Sequence, residues 1–199
     1  RSNLAACSFG DDEGIFGFGM GVSAVTGVTN KVSNTGVVAS DVSAVGTARA
    51  FIAACEFGED KGIFGFGSSV WSTTYDLTNL VSNTGVVASD VSTVGTERWG
   101  LTAWSFGGDE GIFGYGYSSG VVSMTNLVSN AGVIASDVTG VGTARYQLAA
   151  TQFGGDQGIF GYGYTPSKLS LTNLVTNTGV VASDVAGVGT ARSHIAACS

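Results

Sequence analysis

Residues 98–117 read RWGLTAWSFGGDEGIFGYGY, and the phrase is not alone. Residues 1–20 read RSNLAACSFGDDEGIFGFGM, 49–68 read RAFIAACEFGEDKGIFGFGS, 145–164 read RYQLAATQFGGDQGIFGYGY, and 192–198 begin again as RSHIAAC. Arg1, Arg49, Arg98, Arg145 and Arg192 therefore fall in register, 48, 49, 47 and 47 residues apart. The second half of each unit is equally regular, running close to LTNLVSNTGVVASDV, two variable residues and VGTA. One repeat domain of four units follows, 1–48, 49–97, 98–144 and 145–191, with 192–199 starting a fifth unit or closing a ring. A repeat of this length is one supersecondary block that buries its apolar surface against its neighbours.

Within a block, LAACSF and GIFGFG are short, apolar and rich in β-formers, and the Gly/Asp cluster between them reads as a hairpin turn. Strand alternation would put Ile15, Gly17 and Gly19 on one face and Phe16, Phe18 and Met20 on the other. A bare face opposite an aromatic one lets the rings of one sheet lie on the glycines of the next. LTNLVSN and VVASDV supply a third and fourth strand, joined at NTG by a further turn. No stretch sustains the 3.6-residue period of a helix. Four short antiparallel strands in a unit of about 48 residues are the arithmetic of a propeller blade. The expected fold is all-β, a β-propeller of four blades, or a segment of a larger one. The matching phrases at 1–8 and 192–199 suggest a ring latched by its termini, or self-association of two copies through them.

Composition narrows the partners. The chain has 199 residues, 32 of them Gly, 1 Pro, and a net charge of -7. Glycine is far above its usual ~7%, yet the chain follows no Gly-X-Y period and has no polar low-complexity tract, which argues against both collagen and disorder. Eight basic residues spread over the length argue against a nucleic-acid partner. No apolar run approaches the ~18 residues of a membrane-spanning helix, and no membrane insertion is expected.

The phrases RSNLAACSFGDDEGIFGFG and GIFGYG resemble kelch repeats, in which a first strand leads by a turn into a glycine-rich second strand. The resemblance covers the whole chain, but GFG or GYG stands where kelch units carry a double glycine, and no Trp recurs at a set place. The chain is also similar to degenerate kelch-like arrays of marine bacteriophages and environmental sequences. That likeness implies a virion-associated or extracellular structural protein.

The reactive residues point away from chemistry. His194 is the only histidine, at a position filled elsewhere by Asn3, Phe51, Gly100 and Gln147, and no partner recurs around it as a catalytic base would need. Cys7, Cys55 and Cys198 lie whole repeats apart and match no metal-binding spacing, so free thiols are expected. Asp12, Asp60, Asp109 and Asp156 recur in the first turn, where the single acid of the fourth unit is too few for calcium, and turn-forming aspartates that bond their own backbone are expected. Asp41, Asp90, Asp137 and Asp184 precede Arg49, Arg98, Arg145 and Arg192 by eight residues each. These are expected to form semi-buried ion pairs, or to leave the arginines bonded to carbonyls that join one blade to the next. No catalytic residue, metal or cofactor is expected.

Length variation has one address. From each Arg to its turn Asp is always 11 residues, and from Thr29, Thr78, Thr125 or Thr172 to the next Arg always 20. Only the connection between the second and third strands differs, and Trp71, Tyr75, Tyr117, Tyr164 and Lys168 sit in it. Variation confined to one place is where a repeat protein presents a binding surface, and amphipathic aromatics there suit a glycan or protein ligand. A non-enzymatic binding or structural module is the expected function. An enzyme with its site at a central channel and a virion or surface structural protein without a small ligand are the alternatives.

Overall fold

The computed structural model describes residues 1–69 and 73–197, and every regular element among them is a β-strand. In each unit a first strand (Ala5–Phe9, Ala53–Phe57, Thr102–Phe106, Ala149–Phe153) pairs antiparallel with a second (Glu13–Gly17, Lys61–Gly65, Glu110–Tyr117, Gln157–Gly161). The second pairs in turn with a third (Thr29–Val32, Leu77–Val81, Val121–Val128, Thr172–Val175). The registers match from unit to unit, as in Ala5↔Gly17 and Ala53↔Gly65.

The fourth strand is thinner than its sequence suggests. It counts as a strand only at Val91–Ser92, and elsewhere survives as bridges at each end of the segment, Val32↔Val38 and Thr29↔Val42 in the first unit. An asparagine side chain takes over between the bridges: Asn126 Nδ2 donates to Ala135 O at 3.0 Å, and Asn79 and Asn173 do the same to Ala88 and Ala182. This segment lies at the sheet edge, and many of its valines, Val37, Val86, Val133 and Val180 among them, are exposed.

The expected alternation holds through Gly17 and then fails. Phe18 takes a left-handed φ of 62°, followed by Gly19 at 100°, and Phe66, Tyr115 and Tyr162 repeat the kink. In the third unit it is a register shift inside one long strand, between Gly114 and Gly116. An aromatic residue at positive φ is strained, and a bulge of this kind re-aims the side chain. Here the ring turns toward the next unit: Phe18 meets Phe64, Phe66 meets Phe113, and Tyr115 meets Phe160 edge to face at 5.2–5.3 Å.

The core therefore lies between units. One cluster joins Phe9, Ile15 and Phe18 to Ile52, Phe64 and Val81, and two more join the second unit to the third and the third to the fourth. The expected ring-on-glycine contact recurs at all three junctions. A Cβ at Gly17, Gly65 or Gly114 would lie 2.6–2.7 Å from the ring of Phe64, Phe113 or Phe160, closer than any real Cβ contact. Backbone bonds hem the junctions, with Gly10, Gly58 and Gly107 N–H donating to the carbonyls of Asp60, Asp109 and Asp156.

The segment 192–197 continues this order. Gly163 N–H donates to Arg192 O as Gly19 does to Arg49, and His194 N–H donates to Gln147 O. Among the described residues, no backbone hydrogen bond outside the strand ladders joins this segment or the fourth unit to the first. The outer faces of the array are open: Phe16 is 39% exposed and Phe153 41%, whereas their counterparts Phe64 and Phe106 are fully buried.

Candidate functional site

Every junction is clasped by a repeat arginine. Arg49, Arg98 and Arg145 have no exposed surface, although Arg is among the residues least often buried. Arg98 Nε donates to Tyr115 O at 2.9 Å, Nη1 to Thr96 O at 3.0 Å and Nη2 to Asn126 Oδ1 at 2.6 Å. Asn126 Nδ2 then donates to Asp137 Oδ1 at 2.8 Å, and Asp137 Oδ2 accepts from the amide and hydroxyl of Thr96 at 3.0 and 2.5 Å. Burial lowers the Arg49 and Arg98 guanidiniums to about 10, which still leaves them charged at neutral pH.

The ion pairs exist with a different register from the one the sequence suggests. Arg49 meets Asp90 at 3.6 Å, Arg98 meets Asp137 at 3.8 Å and Arg145 meets Asp184 at 3.7 Å, so each arginine pairs with the aspartate of its own unit, about 40 residues ahead. Antiparallel folding of the unit brings that residue back, while the aspartate eight positions earlier belongs to the preceding sheet. Burial would raise Asp90, Asp137 and Asp184, but hydrogen bonds from Thr and Asn and the arginine charge outweigh it and hold them below the ordinary carboxylate value. Asp41 instead accepts from Asn30 at 2.7 Å, and Arg192, with no unit of its own around it, is exposed and lies over Tyr162 at 4.0 Å.

The turn aspartates are structural partners. Asp12, Asp60, Asp109 and Asp156 each accept from the asparagine of the second turn in the same unit, Asn34, Asn83, Asn130 and Asn177, at 3.0–3.1 Å. Cys7 and Cys55 are free thiols on the first strands, and burial pushes the Cys7 thiol up to about 12 and raises that of Cys55 as well. Cys198 lies outside the described residues.

The variable connections form short hairpins that extend the second and third strands, Ser68–Ser69 with Thr73–Thr74 and Tyr164–Thr165 with Ser167–Lys168. Tyr117 and Tyr164 stand at the base of these extensions, paired with Trp99 and Tyr146 of the same units. Lys168 is exposed opposite Tyr164, Tyr75 is half-buried apart from this group, and Trp71 lies outside the described residues. Five half-exposed rings run together across the second, third and fourth units: Phe51 to Trp99 at 5.3 Å, Trp99 to Tyr117 and Tyr146 at 5.4 and 5.2 Å, and Tyr146 to Tyr164 at 5.7 Å. Burial, together with Tyr164 and Tyr117, raises the Tyr146 phenol, which stays neutral.

Beside these rings lies the feature that sequence reasoning missed. Phe51 N–H donates to Asn3 O, Gly100 to Phe51, Gln147 to Gly100 and His194 to Gln147, at 2.7–3.0 Å. All five residues have left-handed φ, from 52° to 64°. Together they border one cavity of about 390 Å³. The positions that looked arbitrary are thus a single continuous ladder along a shared opening. Their signal was present as five unrelated side chains at one register position in otherwise regular units.

No protein-family model matches the chain, and no curated protein is similar to it.

Proposed function

We propose that the chain is an arc of β-propeller blades of kelch-like type that acts as a non-catalytic binding module for a neutral glycan. The blade reading is supported by the common cavity on which the five first segments converge, and by the valine-bearing fourth segments at the opposite edge of each sheet. An arc suits the exposed Phe16 and Phe153 better than a closed four-bladed ring does.

The carrying observation is the contrast between junction and mouth. Arginines, glycines and asparagines that join the units keep the same residue types, while Asn3, Phe51, Gly100, Gln147 and His194, which share one opening, differ completely. Carboxamides supply a donor and an acceptor each, as hydroxyl-rich ligands require, and the adjacent Phe51, Trp99 and Tyr146 offer apolar faces, the last two with a polar tip. Among the described residues no carboxylate or lysine borders the opening, which favours an uncharged ligand. A small number of placed polar groups among apolar surface, here Leu4, Ile52, Leu101, Leu148 and Ile195 beside Phe51, is the usual make-up of a small-molecule site.

A glycan array tests this, followed by titration of the best ligand against Gln147→Ala and Trp99→Ala. Loss of one hydrogen bond at Gln147 is expected to weaken binding by about tenfold. An array on which no sugar is retained, or a retained sugar that binds both variants as well as the wild type, would overturn the reading.

A further inference from the structure

The first strands, which start beside the ladder, end at a second cavity. Ser8, Glu56, Ser105 and Gln152, each the last but one residue of its strand, border a space of about 180 Å³ that shares no residue with the ladder opening. Ser105 Oγ accepts from Glu56 N–H at 3.1 Å and donates to Glu56 O at 3.0 Å, which holds the second and third of these strands side by side. Ala150 and Trp104 give the same cavity apolar surface.

Glu56 is the one charged side chain among the described residues at this cavity. The thiols of Cys7 and Cys55 beside it are kept neutral by burial. Glu56 is itself half-buried, and burial and Asp60 raise its carboxyl. Among the described residues no cation pairs with it, and the nearby Lys61 is held by Asp60 at 2.8 Å. A carboxylate drawn partly out of water without a counter-ion carries a cost that a bound cation offsets. The turns that follow these strands, 10–13, 58–61, 107–110 and 154–157, hold eight carboxylates and one lysine. A field of that sign raises the local concentration of cations at this end of the array.

The space is several times the ~30 Å³ of a water molecule, so it suits an organic cation better than a bare metal ion. The described residues also hold no group of three or more side chains able to ligate a metal. A guanidinium asks for paired coplanar acceptors, whereas one carboxylate with separate hydroxyls suits the point charge of an ammonium. We propose that this cavity binds a primary alkylammonium group, its charge on Glu56, its remaining N–H donors on the Ser8 and Ser105 hydroxyls, and its alkyl chain against Ala150 and Trp104. Ser105 Oγ keeps a lone pair for this beyond its two bonds to the Glu56 backbone.

Titration of the intact, isotope-labelled chain with n-butylammonium chloride, at ionic strength held constant with sodium chloride, tests the proposal. Saturable shifts are expected at the Ser8, Glu56 and Ser105 amides and at the Trp104 indole, and n-butanol, of the same shape without the charge, is expected to leave them in place. Glu56→Gln keeps the size of a half-exposed side chain, so its circular dichroism should match the wild type while affinity falls about tenfold or more. Nα-acetyl-lysine methylamide separates the sources: equal binding assigns the site to lysine side chains and exclusion assigns it to free amines, and either upholds it. No saturable shift, equal shifts with n-butanol, shifts confined to the turn aspartates, or an affinity unchanged in Glu56→Gln would overturn the proposal. None of these results bears on the glycan reading, because the two cavities have no residue in common.

Discussion

The guanidinium carbon of Arg98 lies 4.1 Å from the ring centre of Phe66, a residue held at a φ of 61° in the preceding unit. Arg49 over Phe18 and Arg145 over Tyr115 repeat the pair at 4.3 Å. The strain at the bulge and the burial of the charge therefore serve one contact. The bulged ring covers the arginine, and the arginine bonds the bulge carbonyl of its own unit.

Arg98→Ala is expected to destabilise the chain by about 3–5 kcal/mol, because Asn126 Oδ1 and the Tyr115 carbonyl lose their donors inside the core. Arg98→Lys should recover little of this, since an ammonium cannot reach three acceptors and stack on Phe66 together. Urea unfolding of both variants measures the difference.

Gly114→Ala places a methyl 2.6 Å from the Phe160 ring, and overpacking of that kind costs about 1–3 kcal/mol. Gly161→Ala, the same change in the same motif, meets no ring and should stay within about 0.5 kcal/mol of the wild type. Melting temperatures of the two variants compare them directly. Equal effects would mean that the inter-unit contact does not set the cost.

Acid stability follows from the carboxylates. Asp90, Asp137 and Asp184 are lowered in the folded state, so their stabilisation is full above the unfolded value of about 3.9 and is lost as pH falls through their lower folded values. Glu56 is raised by burial and by Asp60, so its protonation on acidification relieves a cost and acts the other way at slightly higher pH. The melting temperature is expected to fall steeply below about pH 4. Asp137→Asn should flatten that fall, and Glu56→Gln should leave it in place.

Much of this architecture is written locally. The unit boundaries, the absence of helix, the hairpin at GGD and the ring-on-glycine packing all depend on neighbours in sequence or on a two-residue period. The partner of Arg49 is not local, because Asp90 returns beside it only after three strands have folded back. The bulge at GFG is equally hidden, since alternation reads straight through Phe18 until the next unit's arginine turns its ring. Tyr117 and Tyr164 were legible as candidates from length variation, but their grouping with Trp99 and Tyr146 follows from how the sheets stack. The alignment of Asn3, Phe51, Gly100, Gln147 and His194 along one opening depends on how successive units stack, which no single unit encodes.

The central claim is that these five register-equivalent positions form one ligand-binding mouth. Amide chemical-shift mapping during titration with the best oligosaccharide tests it most directly. The account predicts that the perturbed amides cluster at Asn3, Phe51, Gly100, Gln147 and His194 and at the neighbouring Trp99 and Tyr146. Perturbations confined to the exposed hairpin around Lys168 or to the outer valine segments, or none at any saccharide concentration, would contradict it.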